Sequence, residues 1–252
     1  MAPSSRPRHP YFDFPGPIAF AHRGGASEAP ENTLPAFQRA VDLGYRYLET
    51  DVHVTSDDVV VAFHDNDLMR TCNVPGMIHE LPWSEVAKAR VGGREPIPRL
   101  VDLFDAFPEA RINIDCKTDR VAGPLGDELE RAGVLDRVCV AAFNDRRLAR
   151  FRKRFGPALC TSAGPIELGV LRATGLAVRG PLAAQVPVRL RGVTVITERF
   201  VRKCHQRGVE VHAWTIDVER EMERLLDLGV DGIMTDVPQT LKDVLTRRGA
   251  WL

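Results

Sequence analysis

The chain has 252 residues, in which 34 Lys and Arg are balanced by 34 Asp and Glu for a formal net charge of zero. That balance excludes the broad electrostatic field used to hold nucleic acid or an anionic membrane, so the positive groups that matter are local. Five cysteines without a Cys-x-x-Cys pair predict buried thiols, not a disulfide framework or a zinc knuckle.

Residues 1–17, rich in proline and without periodicity, read as an irregular N-terminal arm covering one end of the fold. They lack the apolar core of a signal peptide, and no later run approaches the roughly 20 apolar residues that span a bilayer, which predicts a cytoplasmic protein without membrane insertion. The remainder, 18–252, reads as one domain. A strand over 18–22 runs into the turn His22-Arg23-Gly24-Gly25, and Asn32 or Thr33 is placed to cap a helix over about 34–44. Tyr47–Val52 reads as the second strand, and Val59–Phe63 as an extended run ending at His64. Between 65 and 98 there is little periodicity beyond a turn of helix near 84–90, so this stretch reads as a short inserted loop region. Strands near 111–116, 137–142, 158–161, 183–187, 209–214 and 231–235 then alternate with helices near 121–132, 144–155, 165–175, 197–207, 218–228 and 238–247. With the helix after Pro98, eight strand–helix units predict an α/β fold closed as a (β/α)8 TIM barrel. The weakest pattern is at 176–196, where Pro181, Pro187 and several arginines blur the strand, and an open doubly wound sheet is the competing architecture.

Barrel sites lie at the C-terminal ends of the strands. His22 ends the first strand, Glu49 and Asp51 come late in the second, His64 ends the run after it, Asp115 and Lys117 end the third, and Trp214 ends the seventh. Glu49 and Asp51 are two apart and so share a strand face, and Asp115 and Lys117 repeat that spacing. Three carboxylates brought together repel, so either one is protonated or a divalent cation sits among them. Oxygen donors alone favour Mg²⁺ or Ca²⁺. The competing reading is a salt-bridge cluster with Lys117 and Arg23. His22 and His64 are the natural acid–base pair, and Arg23 and Lys117 would neutralise charge on a phosphate.

His22-Arg23-Gly24, Pro30-Glu31-Asn32-Thr33, Glu49-Thr50-Asp51-Val52, His64-Asp65, Asp115-x-Lys117, Ala213-Trp214-Thr215 and Gly229-Val230-Asp231-Gly232-Ile233 leading to Thr235-Asp236 resemble, in order and spacing, the glycerophosphodiester phosphodiesterase family. The resemblance implies hydrolysis of a small-molecule glycerophosphodiester to glycerol 3-phosphate and an alcohol with one divalent cation. It implies His22 and His64 as catalytic pair, Glu49, Asp51 and Asp115 as metal ligands, and Arg23 and Lys117 as phosphate binders. It adds Glu31 at the metal or substrate hydroxyls and Trp214 lining the glycerol pocket. Three positions depart from the family pattern: Asp115 stands for a frequent Glu, Ala142-Phe143 for a frequent Ser-Phe, and Asp217 for a frequent Asn. The insert at 65–98 is short beside that of many relatives, leaving a mouth open to larger diesters. Two alternatives stand beside the leading reading: a lysophospholipase D or sphingomyelinase-D-like enzyme on the same barrel, and a non-catalytic barrel that binds a phosphorylated ligand.

Overall fold

Side chains along the central strands alternate between an outward apolar face packed on helices and an inward face that is apolar at Ile18, Phe20 and Tyr47 but polar at Glu49, Asp51, Asn113, Asp115 and His212. In a computed structural model the chain is described over residues 9–176 and 180–251; positions 1–8 of the expected arm and 177–179 of the weakly patterned stretch lie outside the described residues. Eight strands, β1 (Ile18–His22), β2 (Tyr47–Val54), β3 (Arg111–Cys116), β4 (Val138–Ala141), β5 (Cys160–Thr161), β6 (Ala183–Pro187), β7 (Glu210–Trp214) and β8 (Gly232–Thr235), pair in parallel. Their order is β5-β4-β3-β2-β1-β8-β7-β6. A parallel bridge between Ser162 and Ala183, with Leu182 N donating to Thr161 O at 2.9 Å, brings β5 against β6 and the sheet nearly to closure. This is the predicted barrel, and it removes the open-sheet alternative.

Each strand is followed by a helix: α1 (Leu34–Asp42), α2 (Leu100–Ala106), α3 (Ala122–Ala132), α4 (Asp145–Phe155), α5 (Pro165–Thr174), α6 (Glu198–His205), α7 (Glu219–Asp227) and α8 (Pro238–Arg247). Local chemistry starts several of them. Thr33 accepts from Ala36 N to cap α1, Asn144 caps α4, and Thr197 accepts from Phe200 N to cap α6. Ala19, Ala21, Leu48, Val52, Ile112 and Ile114 pack outward against the helices. Ile18, Phe20, Tyr47, Cys139, Cys160 and Met234 point inward and are sealed at the N-terminal end by Tyr11 and Phe12 of the arm, which form a 3-10 turn with Pro10. Tyr47 Oη donates to Tyr11 O at 2.6 Å, and burying each such ring contributes about 1.5–3 kcal/mol. All five cysteines are buried and free, and no described helix is long and apolar enough to cross a membrane.

The insert after β2 is more ordered than its sequence pattern. A strand at Val60–Ala62 folds back antiparallel on β2, so that Phe63 N donates to Asp51 O at 2.9 Å and the next residue, His64, returns to the end of the barrel. Short turns at Met69–Cys72, Ile78–Glu80 and Trp83–Val86 then enclose a small core of Phe63, Leu68, Ile78, Val86 and Ile97, against which Leu81 and Trp83 pack. Elements of three or four residues carry no readable period, which is why this core was invisible in the sequence.

Candidate active site

The end of β1 turns sharply through Arg23, Gly24 and Gly25, all at positive φ. A Cβ on Gly24 would stand 2.8 Å from Ala36 and one on Gly25 2.7 Å from Pro238, so glycine is needed for the turn to seat against α1 and α8. The bend aims Arg23 N at Glu49 Oε2, 3.1 Å away. Strand register supplies the rest: His22 lies opposite Glu49 across β1–β2, and Asp51 opposite Asp115 across β2–β3.

Three carboxylates in this small space are balanced unequally. Asp51 is nearly buried, with Lys117 Nζ 2.6 Å from Oδ1, Arg23 Nε 3.0 Å from Oδ2, and Asn32 Nδ2 donating to Oδ2 at 3.2 Å. Burial favours its neutral form, but Lys117 and Arg23 outweigh that and hold its pKa below the usual value. Lys117 also donates to Asp115 Oδ2 at 2.7 Å, while Asp115 Oδ1 is buried with no partner. Burial therefore wins at Asp115 and raises its pKa. Glu49 is the extreme case: burial, then the charge of Asp51, push it up to about 7. The ion pairs of Lys117 and Arg23 thus hold Asp51 at both oxygens, reach Asp115 at one oxygen only and, among the described residues, do not include the Glu49 carboxylate.

Each histidine is held through one ring nitrogen. His22 Nδ1 lies 2.7 Å from Asp236 Oδ1, so it carries the hydrogen and leaves Nε2 free, 3.8 Å from Glu49 Oε2. Burial disfavours the charged ring, but Glu49 and Asp236 outweigh it and raise the His22 pKa. His64 repeats the arrangement with Asp65 Oδ1 at 2.6 Å. Its backbone carbonyl accepts from His53 Nε2 at 3.0 Å, which anchors the loop.

Glu31 receives Arg23 Nη1 at 3.2 Å and a two-pronged contact from Arg70 at 2.8 and 2.7 Å. Arg70 also pairs with Asp65, so the chain of contacts runs without a break from Asp115 through Lys117, Asp51, Arg23, Glu31, Arg70 and Asp65 to His64. Trp214 stands on the same end but outside that chain, edge-on to Phe143 with ring centres 5.7 Å apart. Sequence reasoning missed Asp236, Asp65, Arg70 and Asn32 as partners of the candidate site residues. Asp236 and Asp65 stood within or beside the quoted motifs, whereas Arg70, inside the unpatterned insert, gave no signal.

Acid–base, cationic and oxygen-donor groups converging on the C-terminal mouth of a parallel barrel put the protein in the class of barrels equipped for phosphate-ester chemistry. Residues 22–240 match the model of the glycerophosphoryl diester phosphodiesterase family, and the chain belongs to that family. It is 40% identical to the "Probable glycerophosphodiester phosphodiesterase 2" of Mycobacterium tuberculosis over 100% of this chain and 99% of that one. It is 31% identical to a glycerophosphodiester phosphodiesterase of Caldanaerobacter subterraneus over 92% of this chain and 99% of the relative. The fold matches a phosphodiesterase of Oleispira antarctica, solved with its product sn-glycerol-3-phosphate, with a TM-score of 0.77 and 22% identity over 92% of this chain and 97% of that one.

Proposed function

We propose that the chain hydrolyses glycerophosphodiesters to glycerol 3-phosphate and an alcohol, with His22 and His64 as the acid–base pair and a divalent cation as cofactor. The carrying observation is that both histidines bond a carboxylate through Nδ1 and leave Nε2 outside any hydrogen bond among the described residues, that of His22 facing Glu49 at 3.8 Å. One free nitrogen removes a proton during attack on phosphorus and the other protonates the departing alkoxide. A binding-only barrel would need the cations and no such pair. Neither histidine has Ser or Cys beside it in the chain, which speaks against a covalent phosphoenzyme.

Donor chemistry fits a hard cation: the Asp115 Oδ1 orphan and the undercompensated Glu49 are buried oxygens in want of positive charge. Among the described residues no three His, Cys, Asp or Glu groups are already gathered around one point, and the Lys117 ammonium lies between Asp51 and Asp115. Glu49, Asp51 and Asp115 would hold Mg²⁺ or Ca²⁺, which when bound supplies Lewis-acid polarisation of the phosphoryl oxygen. Arg23 and Lys117 offer cationic N–H donors to the phosphate, Glu31 accepts from a substrate hydroxyl, and Trp214 walls the glycerol side.

Incubation with glycerophosphocholine and Mg²⁺ or Ca²⁺ tests the reading. Equimolar glycerol 3-phosphate and choline are expected. Release of phosphocholine, or no turnover with either metal, would overturn it.

A further inference from the structure

On the mouth away from the charged cluster, the four neighbouring strands β4, β5, β6 and β7 each lead into an uncovered apolar residue. They are Phe143 at 67% exposure, Ile166 at 71%, the pair Leu190 and Val193 at 58% and 50%, and Val218 at 65%. Scattered exposed aliphatics need no explanation, but four successive loops on one edge do.

The most pronounced of these is a miniature hairpin, Arg189–Leu190 paired with Val193–Thr194, that continues directly from β6. Its two turn residues, Arg191 and Gly192, both have positive φ (48° and 82°), the geometry of a tight two-residue turn. Leu190 and Val193 are directly opposed and therefore share one face. The base is anchored: Pro187 pairs with Trp214, and Arg172 of α5 donates to Thr194 O at 3.1 Å. A firm base carrying an uncovered aliphatic pair is a wedge.

Arginine accompanies the apolar positions. Arg146 lies three residues beyond Phe143, Arg189 and Arg191 flank Leu190, and Arg220 lies two beyond Val218, after Glu219. Among the described residues Arg146, Arg191 and Arg220 enter no ion pair, whereas nearby acids are occupied. Asp145 accepts from Ile166 N and Glu167 N, Glu167 pairs with Arg152, Asp217 accepts from Thr235 and Asp236 N, Glu219 pairs with Arg247, and Glu221, which also feels Arg189 and Arg220, pairs with Arg224. Arg146, Arg189, Arg191 and Arg220 outnumber Asp145 and Asp217, the two acids there held by neutral donors alone among the described residues, so the edge is apolar and locally cationic on a chain of zero formal charge. Aliphatic side chains that enter an acyl layer beside guanidinium groups that meet phosphates are complementary to one surface, an anionic phospholipid interface.

We propose that this edge seats the enzyme reversibly on an anionic phospholipid surface and presents acyl-bearing glycerophosphodiesters to the adjoining site. The proposal rests on the phosphodiesterase reading of that site. Phe143, in contact with Trp214, joins the lipid edge to the place where the diester is cleaved.

The test compares wild type with the double variant L190S/V193S, neither residue belonging to the catalytic or substrate-binding set. Co-sedimentation with phosphatidylcholine vesicles containing phosphatidylglycerol is expected for wild type, weakening with added salt. The double variant should partition on the order of tenfold more weakly. Its cleavage of lysophosphatidylcholine held in those vesicles should fall in parallel, and its cleavage of dissolved glycerophosphocholine should be unchanged. Failure of wild type to sediment, or equal binding by the variant, would overturn the proposal. So would a change from dimer to monomer in the variant without a vesicle effect, which would give the edge to a second copy of the chain. Loss of glycerophosphocholine cleavage in wild type would instead reject the phosphodiesterase reading, and the vesicle arm would still judge the lipid edge.

Discussion

The mouth of this barrel has two unlike halves. Around β8, β1, β2 and β3 it is a dense network in which Asp51, Asp115, Lys117, Arg23 and His22, at or just beyond the ends of central parallel strands, meet His64, which the short antiparallel strand Val60–Ala62 returns to the same end. Around β4 to β7 the loops carry exposed apolar residues and, among the described residues, the arginines Arg146, Arg191 and Arg220 outside any ion pair, with no network of buried charges like that of the other half. The contrast teaches where free energy is at stake: buried charges with few partners are sensitive to the loss of any one, whereas an exposed edge can change at little cost to stability.

Chelation separates the halves most sharply. EDTA is expected to abolish glycerophosphocholine turnover, with Mg²⁺ or Ca²⁺ restoring it, while the vesicle affinity of the apolar edge stays unchanged. Full activity in a rigorously metal-free sample would remove the cation from the charged half.

Lys117→Met leaves Asp51 and Asp115 without the ammonium between them. Loss of one partner from a buried ionic cluster predicts a destabilisation of about 3–5 kcal/mol in metal-free protein, read from urea unfolding. L190S/V193S should move the same midpoint by less than about 0.5 kcal/mol. Comparable losses in both variants would erase the distinction between the halves.

Glu49→Gln should act in the opposite direction. The folded Glu49 pKa is raised from 4.5 to about 7, so between those values the folded protein keeps a proton that the unfolded chain has released. Stability therefore falls as pH rises through that window, and above it the cost is roughly 3 kcal/mol. The His22 contribution has the same sign: its folded pKa is raised, so its stabilisation is complete below 6.5 and lost as pH rises through the folded value. Metal-free Glu49→Gln should exceed wild type in stability at pH 8 and match it near pH 4. A variant less stable than wild type at pH 8 would show that Glu49 is well compensated.

The smallest effect concerns orientation. Asp236→Asn keeps a hydrogen-bond acceptor for His22 Nδ1 but removes its charge, which predicts about a tenfold loss in kcat. The pH profile limb belonging to His22 should move down, because Asp236 helps to raise that pKa. An unmoved limb would contradict the role.

Much of this architecture was legible because long elements repeat their signals. The alternation of Ile18 and Phe20 with Ala19 and Ala21, and the spacing of Glu49 and Asp51, fix strand, face and depth together. Even 183–187, the weakest pattern, forms a strand, since register with β7 overrides Pro187 at its end. The small core of the insert and the hairpin at 189–194 were not legible, because strands of two residues and turns of three or four have no period. Within the site, residue types were readable but partners were not. The bond from His22 to Asp236 crosses 214 positions, and nothing local in the sequence selects Asp236 over another carboxylate.

The most direct test measures kcat for glycerol 3-phosphate release in wild type, His22→Ala, His64→Ala and the double variant, with folding checked by circular dichroism. Two histidines acting as acid and base in one reaction predict a loss on the order of 10²–10⁴ for each single variant and little further loss in the double variant. Near wild-type turnover in either single variant would contradict the acid–base assignment.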